Sequence, residues 1–298
     1  MKSYNIFDIE QEYDGLKLGK YLKEKLLLSR NALIRIKKSD SLKVNGVHVH
    51  MDIILKAGDR VEFELPDTNS EYILPEEMEL DIVYEDEYLV IINKAAGIPT
   101  HPSGKHFTGT LANGLMHHLA GEGRNITIRP INRLDRNTSG LVTFAKSSHI
   151  QHLMSLESYK PDITKEYLAV VQGIVTADTG IIDAPIEREL PHSVKRVVRE
   201  GGDRAVTHYR VLDRYSASCL LSLVLETGRT HQIRVHMSHI GHPLLGDELY
   251  GGSMDIIGRH ALHAYSIKML HPVTKTELSL KAELPQDMVE LIRICSSS

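Results

Sequence analysis

An eight-residue run at 133–140, Arg-Leu-Asp-Arg-Asn-Thr-Ser-Gly, places one carboxylate, Asp135, between two guanidinium groups and ahead of a glycine. The apolar run 141–145 follows at once and predicts a buried strand. We therefore expect Asp135 in a loop that enters the core and not on a solvated face. Loops anchored on rigid strands commonly carry chemistry, so this loop is the first candidate for a functional site.

The composition predicts a two-domain protein of a reducing compartment. A chain of 298 residues with 42% hydrophobic content can bury a sizeable core. Its two cysteines, Cys219 and Cys295, lie far apart, and no zinc-type cysteine pair is present. The first ten residues lack the charged and apolar regions of a signal peptide, and no stretch is long enough to span a bilayer. We expect a cytoplasmic protein without contact to membranes.

Charge is distributed unevenly along the chain. Between Gly15 and Arg60, eleven basic residues stand against four acidic ones. This segment therefore carries +7 and the other residues carry -11 within the net charge of -4. The basic segment is the part of the chain that should dock on a polyanion.

The same segment has the pattern of a small α/β unit. Helical spacing at 16–25 and an N-cap at Ser29 predict two short helices, the second over 30–38. Asn45-Gly46 between extended residues predicts a type I′ hairpin, and 60–65 alternates as a strand. This order resembles the S4 RNA-binding domain over about residues 14–65. The resemblance implies RNA as partner, with contacts from the second helix through Arg30, Lys37 and Lys38; the alternative is a solvated helix pair without a partner.

A polar, proline-bounded stretch at 66–75 predicts a linker, which gives an N-terminal domain over 1–75 and a second domain over 76–298. In the second domain, predicted strands at 80–84, 88–93, 166–171, 206–212 and 220–225 interleave with predicted helices at 110–119, 148–158 and 230–240. Regular βαβ repetition, Gly-x-Gly-x-x-Gly and P-loop motifs are all absent from the sequence. We therefore expect an α+β fold with a mixed sheet and not a doubly wound fold.

Two further segments carry side chains that suit Asp135. Tyr167 follows Lys165-Glu166 on a predicted strand, although a tyrosine there is by itself more often a half-buried aromatic with a wet hydroxyl. The block 228–236, Gly-Arg-Thr-His-Gln-Ile-Arg-Val-His, places Thr230 and Arg234 four residues apart on one predicted helical face. Arginine suits the two-point binding of a carboxylate or phosphate, but a structural ion pair is an equally good interpretation of Arg234 alone.

In combination and order, these segments resemble the RluA-type family of pseudouridine synthases. The matching motifs are Asn93-Lys94 followed by Gly97 and His101-Pro102, the Asp135 run, Lys-Glu-Tyr at 165–167, the block at 228–236 and Gly-His-Pro-Leu-Leu-Gly-Asp at 241–247. The resemblance implies a mixed, mostly antiparallel sheet with flanking helices, an essential Asp135, Tyr167 beside the uracil and Arg234 paired with the aspartate. It implies RNA contacts for a group of polar residues: Asn132, Arg133, Thr138, Arg229 and His231. In one departure, Asn132 stands where the family usually has histidine, which bears on the RNA contact more than on the chemistry.

The chemistry agrees with this resemblance. Converting uridine to pseudouridine breaks the N1–C1′ bond and joins C5 to C1′ without a redox step, so no cofactor is expected. One carboxylate can act as the nucleophile or stabilise positive character at C1′, and Arg234 beside it would favour its ionised form. The resemblance further implies that Arg133 fills the gap that the flipped base leaves. The phenol of Tyr167 is an ordinary weak acid and thus a poor base unless activated.

The sequence thus predicts an RNA pseudouridine synthase that isomerises specific uridines in structured RNA, ribosomal or transfer RNA, as a monomer. The alternative is a catalytically silent S4-domain RNA-binding protein or RNA chaperone. A metal site at His236, His239 and His242 is disfavoured because the third residue leaves the helical face of the first two, and we expect no metal. A protease centre at Asp178-Thr179-Gly180 is disfavoured because the triplet occurs once and is typical of a turn.

Overall fold

The structure, a computed structural model, describes residues 4–65, 73–103, 107–120, 128–156 and 163–297. Most of the predicted linker at 66–75 lies outside these residues. None of the described helices combines the length and the apolar character that crossing a lipid bilayer requires.

Residues 4–65 form a small unit with its own sheet and core. Two helices pack on a four-stranded sheet of order β1-β4-β2-β3: β1 (Tyr4–Asp8), α1 (Leu18–Glu24), α2 (Arg30–Ser39), β2 (Lys43–Val44), β3 (Val47–His48) and β4 (Arg60–Glu64). The Ser29 hydroxyl accepts the Ala32 N–H at 3.1 Å, so this predicted N-cap is confirmed. Asn45 and Gly46 both have positive φ, 52° and 78°, as a type I′ turn requires. Strand β1 was not predicted, and it extends the small unit to residues that precede the predicted start at about residue 14.

The remaining described residues build one ten-stranded sheet and a short separate hairpin. The central order is β10-β13-β14-β9-β15-β8-β6-β5, with β16 beside β15 and β7 beside β8, and the hairpin pairs β11 with β12. The strands are β5 (Ile82–Glu85), β6 (Leu89–Lys94), β7 (Arg129–Pro130), β8 (Ser139–Ala145), β9 (Thr164–Gln172), β10 (Thr179–Asp183), β11 (Ile186–Arg188), β12 (Arg196–Val198), β13 (Val206–Arg214), β14 (Ser218–Leu225), β15 (Leu262–Leu270) and β16 (Glu277–Lys281).

Helices flank this sheet, so the predicted α+β class with a mixed, mostly antiparallel sheet is confirmed. They are α3 (Leu111–Ala120), α4 (Ser148–Ser155), α5 (Gln232–His239) and α6 (Gln286–Ser297). Strand β8 is buried along its whole length, as its apolar run predicts, and it pairs in parallel with β15. Gly140, with φ 108°, makes that pairing possible, because a Cβ atom there would lie 2.3 Å from the Ala264 carbonyl oxygen.

The turn predicted at Asp178-Thr179-Gly180 was wrong. Thr179 and Gly180 do not form a turn: they begin strand β10, where Gly180 pairs with Tyr209. A Cβ atom on Gly180 would lie 2.5 Å from the Tyr209 ring, so glycine here serves close packing between strands. Asp178 is exposed and forms an ion pair with Arg214, so the triplet has no catalytic arrangement.

Candidate active site

The loop that carries Asp135 is fastened to the core on both sides. Leu134 is buried, and its backbone N–H and C=O both bond the Thr100 hydroxyl, at 3.2 and 3.0 Å. The backbone C=O of Asp135 accepts the Thr138 N–H at 3.1 Å. The backbone of Asp135 is therefore fixed by its neighbours, while its carboxylate stays partly open to solvent with 26% of the side chain exposed. This combination suits a carboxylate that must meet a substrate without moving.

Lys94 is buried against this loop and bonds its backbone. Its side chain is 1% exposed, and Nζ donates to the carbonyl oxygens of Ala95 and Ile98 at 2.9 Å and of Arg136 at 3.0 Å. Burial, with a smaller contribution from nearby Arg259, lowers the pKa of Lys94 to about 7. Lys94 thus joins the end of β6 to the residue that follows Asp135.

Arg234 connects the Asp135 loop to helix α5. Its Nη1 donates to Asp135 Oδ2 at 2.9 Å, and its Nε and Nη2 donate to the two carboxylate oxygens of Asp247 at 2.7 and 2.8 Å. Burial opposes the charge, but the bonds to Asp247 and the proximity of Asp135 outweigh it and raise the pKa of Arg234. A permanently charged donor is therefore fixed against Asp135.

Helix α5 begins later than predicted. Thr230 and His231 precede it, and His231 adopts the left-handed conformation with φ 59°, so Thr230 and Arg234 do not share a helical face. The Gln232 side chain explains the late start, because its Oε1 accepts the Arg229 N–H at 2.9 Å and holds the preceding turn. The turn aims His231 at the site, with Nε2 at 3.7 Å from Asp135 Oδ2.

Tyr250 packs against both His231 and Arg234. Its hydroxyl lies 2.9 Å from His231 Nδ1, and the Arg234 guanidinium carbon lies 4.9 Å from the centre of its ring. Burial lowers the pKa of His231 despite the opposing influence of Asp135, so the imidazole is neutral at physiological pH. His231 is accordingly a neutral neighbour of Asp135, held by its contact with the Tyr250 hydroxyl, and not a second cation.

Tyr167 lies on β9 and is buried, with 7% of its surface exposed. It pairs in register with Leu223 on β14 and Ala264 on β15, deep in the main core. Burial, and then the charge of Asp135, raise the pKa of Tyr167 to about 12. The phenol is therefore neutral, and it is suited to packing and to donating a hydrogen bond more than to removing a proton.

The structure places the predicted RNA-contact residues in different settings. Arg133 is exposed and makes no hydrogen bond or ion pair within the described part of the chain. Asn132 bonds the backbone of β8, to Leu141 C=O at 3.1 Å and from Thr143 N–H at 2.8 Å. Thr138 is buried, with its hydroxyl 2.8 Å from His260 Nε2. Arg229 donates to the Arg204 carbonyl oxygen at 3.1 Å and forms an ion pair with Asp203 at 3.6 Å.

The three basic residues predicted on the second helix, Arg30, Lys37 and Lys38, are exposed on α2. In Asn132 and Thr138 the polar side-chain atoms already bond the fold, so their setting is structural. As RNA contacts, all of these residues stay predictions.

Several residues of the cluster escaped the sequence analysis. Asp247 and Lys94 lie in motifs that match the family without an assigned role, while Tyr250 and His260 carry no local pattern that separates them from ordinary core residues. Burial and the neighbouring Arg234 lower the pKa of His260 to about 4. For Lys94 the sequence offers a second signal, an ionisable side chain close after the apolar run 89–92.

No group of three metal-binding side chains occurs among the residues that the structure describes. His236, the first of the three histidines considered for a metal, is buried between the Thr207 hydroxyl at 2.8 Å and the Ala184 carbonyl oxygen at 2.9 Å. His242 lies beyond the helix and contacts the Gln172 carbonyl oxygen at 3.0 Å.

Sequence comparison places this arrangement in a family. Residues 88–239 match the family model described as RNA pseudouridylate synthase. The chain is 39% identical over 287 residues to the Bacillus subtilis (strain 168) protein named uncharacterized RNA pseudouridine synthase YhcT, covering 96% of this chain and 95% of the relative. It is 36% identical over 280 residues to ribosomal large subunit pseudouridine synthase D of Pseudomonas aeruginosa, covering 89% of this chain and 87% of the relative.

Solved structures agree with the fold. Human RNA Pseudouridylate Synthase Domain Containing 4 superposes with a TM-score of 0.58 and 25% identity, covering 71% of this chain and 91% of that chain. Human RNA Pseudouridylate Synthase Domain Containing 1, at 23% identity, gives a TM-score of 0.56 and supports the fold alone. These matches favour the enzyme over a silent RNA-binding protein. The chain belongs to the RNA pseudouridylate synthase family and is an isomerase that acts on RNA.

Proposed function

We propose that this enzyme converts specific uridines of structured ribosomal RNA to pseudouridine, with Asp135 as the catalytic residue. The observation that carries the proposal is the carboxylate of Asp135, held at 2.9 Å by Arg234 in a loop whose backbone is fixed, yet still open to solvent. The name of the Pseudomonas aeruginosa relative, ribosomal large subunit pseudouridine synthase D, favours ribosomal over transfer RNA. We expect it to act as a monomer in the cytoplasm, without a cofactor.

In the proposed reaction, Asp135 acts at C1′ of the target uridine as the N1–C1′ bond breaks, either as a nucleophile or by stabilising positive charge. The uracil turns within the site, C5 joins C1′, the C5 proton leaves and N1 gains a proton, so no atom is added or lost overall. Arg234 keeps the carboxylate oriented and charged throughout. Since the phenol of Tyr167 stays neutral, we assign it to packing on the uracil ring and donating a hydrogen bond.

Access to the base requires its extraction from the RNA stack, which costs a few kcal/mol. Arg133 is exposed two residues before Asp135, without a partner in the described residues, so it is free to occupy the space left by the base. The small N-terminal unit, which we assign as an S4-like RNA-binding domain, supplies phosphate contacts through Arg30, Lys37 and Lys38. Recognition by RNA shape follows from the low aromatic content, 5% with no tryptophan.

The test is a map of pseudouridine across all cellular RNA, with and without the gene for this protein. We expect loss of one or a few positions in large-subunit ribosomal RNA, restored by the wild-type gene and not by an Asp135→Asn gene. Loss confined to transfer RNA would overturn the ribosomal assignment. An unchanged map would overturn the proposed function.

A further inference from the structure

The Asp135 loop is held at its C-terminal end by side chains of the segment 259–263, in which strand β15 begins. Three successive residues that follow Asp135 and Arg136 each contact this segment. Arg259 Nη1 donates to the Asn137 carbonyl oxygen at 3.0 Å, His260 Nε2 lies 2.8 Å from the Thr138 hydroxyl, and His263 Nδ1 lies 2.9 Å from the Ser139 hydroxyl. Burial lowers the pKa of both histidines, so Arg259 is the charged member of the three.

Arg259 is buried, with 8% of its side chain exposed, and Asp287 binds the other edge of its guanidinium. Nε donates to Asp287 Oδ2 at 2.6 Å, and Nη2 donates to Oδ1 at 2.9 Å. Such a two-point contact fixes the plane of the guanidinium as well as its position. Nη1 is thereby left to bond the Asp135 loop, in the same way that Asp247 leaves Nη1 of Arg234 for Asp135 itself.

Asp287 stands on a rigid support, the first turn of helix α6. Met288 of this helix is fully buried and belongs to one apolar cluster with Leu245 and Ala261. Burial opposes the charge of Asp287, but the hydrogen bonds from Arg259 outweigh it and lower the pKa of Asp287. An acidic residue in the first turn of a helix is also favoured by the helix dipole. The carboxylate that orients Arg259 is therefore charged and fixed by the core.

The same segment connects the two arginines that reach the loop. The Ala261 N–H donates to the Leu245 carbonyl oxygen at 2.8 Å, and Leu245 lies two residues before Asp247, which binds Arg234. Arg259 and Arg234 thus come from neighbouring stretches of backbone, and one bonds the backbone of the loop while the other bonds its carboxylate. A displacement of this segment would therefore disturb both contacts.

From these contacts we propose that Arg259 and Asp287 are a positioning pair for the reaction, through which helix α6 fixes the Asp135 loop relative to the substrate. The inference rests on the proposed function, in which Asp135 is the catalytic residue, and extends it to a helix that the reaction scheme does not include. Arg259 bonds the loop and Asp287 bonds Arg259, so both act on the reaction through Asp135. A displacement of about 1 Å in a catalytic group can cost roughly 100-fold in rate. The pair should therefore set the rate of the chemical step and leave RNA affinity unchanged.

The test measures three quantities in full-length variants: single-turnover pseudouridine formation at saturating large-subunit ribosomal RNA, the dissociation constant for that RNA, and the free energy of unfolding in urea. Rates are compared where the unfolding curves show every variant to be folded. Asp287→Asn keeps the size of the side chain but removes its charge, and because 44% of the Asp287 side chain is exposed, the fold should tolerate the change. We expect the rate to fall by about tenfold or more and the dissociation constant to change by less than about threefold.

Two further substitutions separate positioning from stability. Asp287→Glu restores the carboxylate, so its rate should return to within about threefold of the wild-type rate. Arg259→Lys keeps the buried charge beside Asp287 but gives up the two-point contact, so the folded variant should lose about tenfold in rate. If the pair only stabilised the fold, Asp287→Asn and Arg259→Lys would both keep the wild-type rate once folded. That result would overturn the proposal.

Glu290→Gln is the matched control, because Glu290 lies on the same helix and also pairs with an arginine, Arg293, but both side chains of this pair are exposed. Its rate and its RNA affinity should equal those of the wild type. A loss of rate in Glu290→Gln equal to that in Asp287→Asn would overturn the proposed role of the pair. RNA binding weakened about tenfold by Asp287→Asn at an unchanged rate would also overturn it. Wild-type protein that forms no pseudouridine in any RNA would instead overturn the proposed function.

Discussion

Asp247 holds Arg234 by two hydrogen bonds, from Nε to Oδ2 at 2.7 Å and from Nη2 to Oδ1 at 2.8 Å, which leaves Nη1 to reach Asp135. Asp247 is fully buried and comes from a different segment from either residue of the reactive pair. The position of the charged donor at Asp135 is therefore set by a buried carboxylate outside the reactive pair. Arg234 is thus a positioning residue that depends on Asp247.

This relationship predicts that Asp247→Asn damages both stability and rate. Breaking a buried ion pair leaves an uncompensated charge and costs about 3–5 kcal/mol. We expect a loss of that order in the free energy of unfolding, measured in urea. We expect the rate of pseudouridine formation to fall by about 100-fold, because each 1.4 kcal/mol of lost transition-state stabilisation lowers the rate tenfold. The matched control is Asp178→Asn. Asp178 also pairs with an arginine, Arg214, but its side chain is 83% exposed. This substitution should change stability by less than about 1 kcal/mol. Equal effects of the two substitutions would contradict the assigned role.

Tyr167→Phe tests the protonation state of the phenol. Because burial and Asp135 raise the pKa of Tyr167 to about 12, the wild-type rate should show no tenfold rise per pH unit between pH 8 and 10. A phenolate base would give such a rise, and Tyr167→Phe would remove it. The measurement is single-turnover pseudouridine formation across this pH range for both proteins. A slope of one for log rate against pH, seen in the wild type and absent from Tyr167→Phe, would show that our assignment of Tyr167 is wrong.

His260 predicts acid sensitivity of the fold. Burial and Arg234 lower the pKa of His260 to about 4 from its ordinary value of 6.5. The unfolded chain binds this proton between pH 6.5 and 4 while the folded protein does not, so stability falls as pH falls through this window. The loss amounts to about 3 kcal/mol, at 1.36 kcal/mol per unit of pKa.

His260→Gln keeps an amide near the Thr138 hydroxyl but cannot titrate. Between pH 6.5 and pH 4 the variant should therefore lose about 3 kcal/mol less free energy of unfolding than the wild type loses. Urea unfolding at pH 6.5 and pH 4 measures the difference. The control, His192→Gln in an exposed loop, should retain the wild-type pH dependence. If His260→Gln lost as much stability as the wild type did, the buried histidine would have no part in acid unfolding.

The small unit predicts a salt-dependent component of RNA binding. Replacing Arg30, Lys37 and Lys38 with glutamine should lower the slope of log affinity against log salt by about 2–3, because three phosphate contacts are removed. A control with the same loss of charge replaces Arg210, Lys268 and Arg293, which are exposed in the large domain. Its slope should stay at the wild-type value. Equal slopes in both triple variants would transfer RNA docking away from α2.

Much of the fold could be predicted because its central elements carry local signals. Strand β8 follows from an uninterrupted apolar run, the Asn45-Gly46 turn from two residues that tolerate positive φ, and α2 from its Ser29 cap. Strand β15 was missed because two of its partners, β8 and β9, are distant in sequence, and β16 was missed with it because β16 pairs with β15. Strand β1 was missed because its pairing with β4 joins residues more than fifty positions apart.

The site divides in the same way. Asp135 and Arg234 stand in polar motifs, and the resemblance of those motifs to a family supplied their pairing, which the structure brings to 2.9 Å. The start of α5 was misplaced because the Gln232 side chain holds the preceding turn, a contact that no residue spacing reveals. Lys94 and Tyr250 act through burial against loops from elsewhere in the chain, and burial is a property of the assembled fold.

The most direct test of the central claim is pseudouridine formation by Asp135→Asn on a ribosomal RNA substrate, measured with RNA affinity in the same samples. Asparagine keeps the volume and one hydrogen-bond acceptor for Arg234 but removes the negative charge. We expect product formation to fall by more than about 1,000-fold, or over 4 kcal/mol, while the dissociation constant for RNA changes less than about threefold. Product formation by Asp135→Asn at a rate close to wild type would contradict the account.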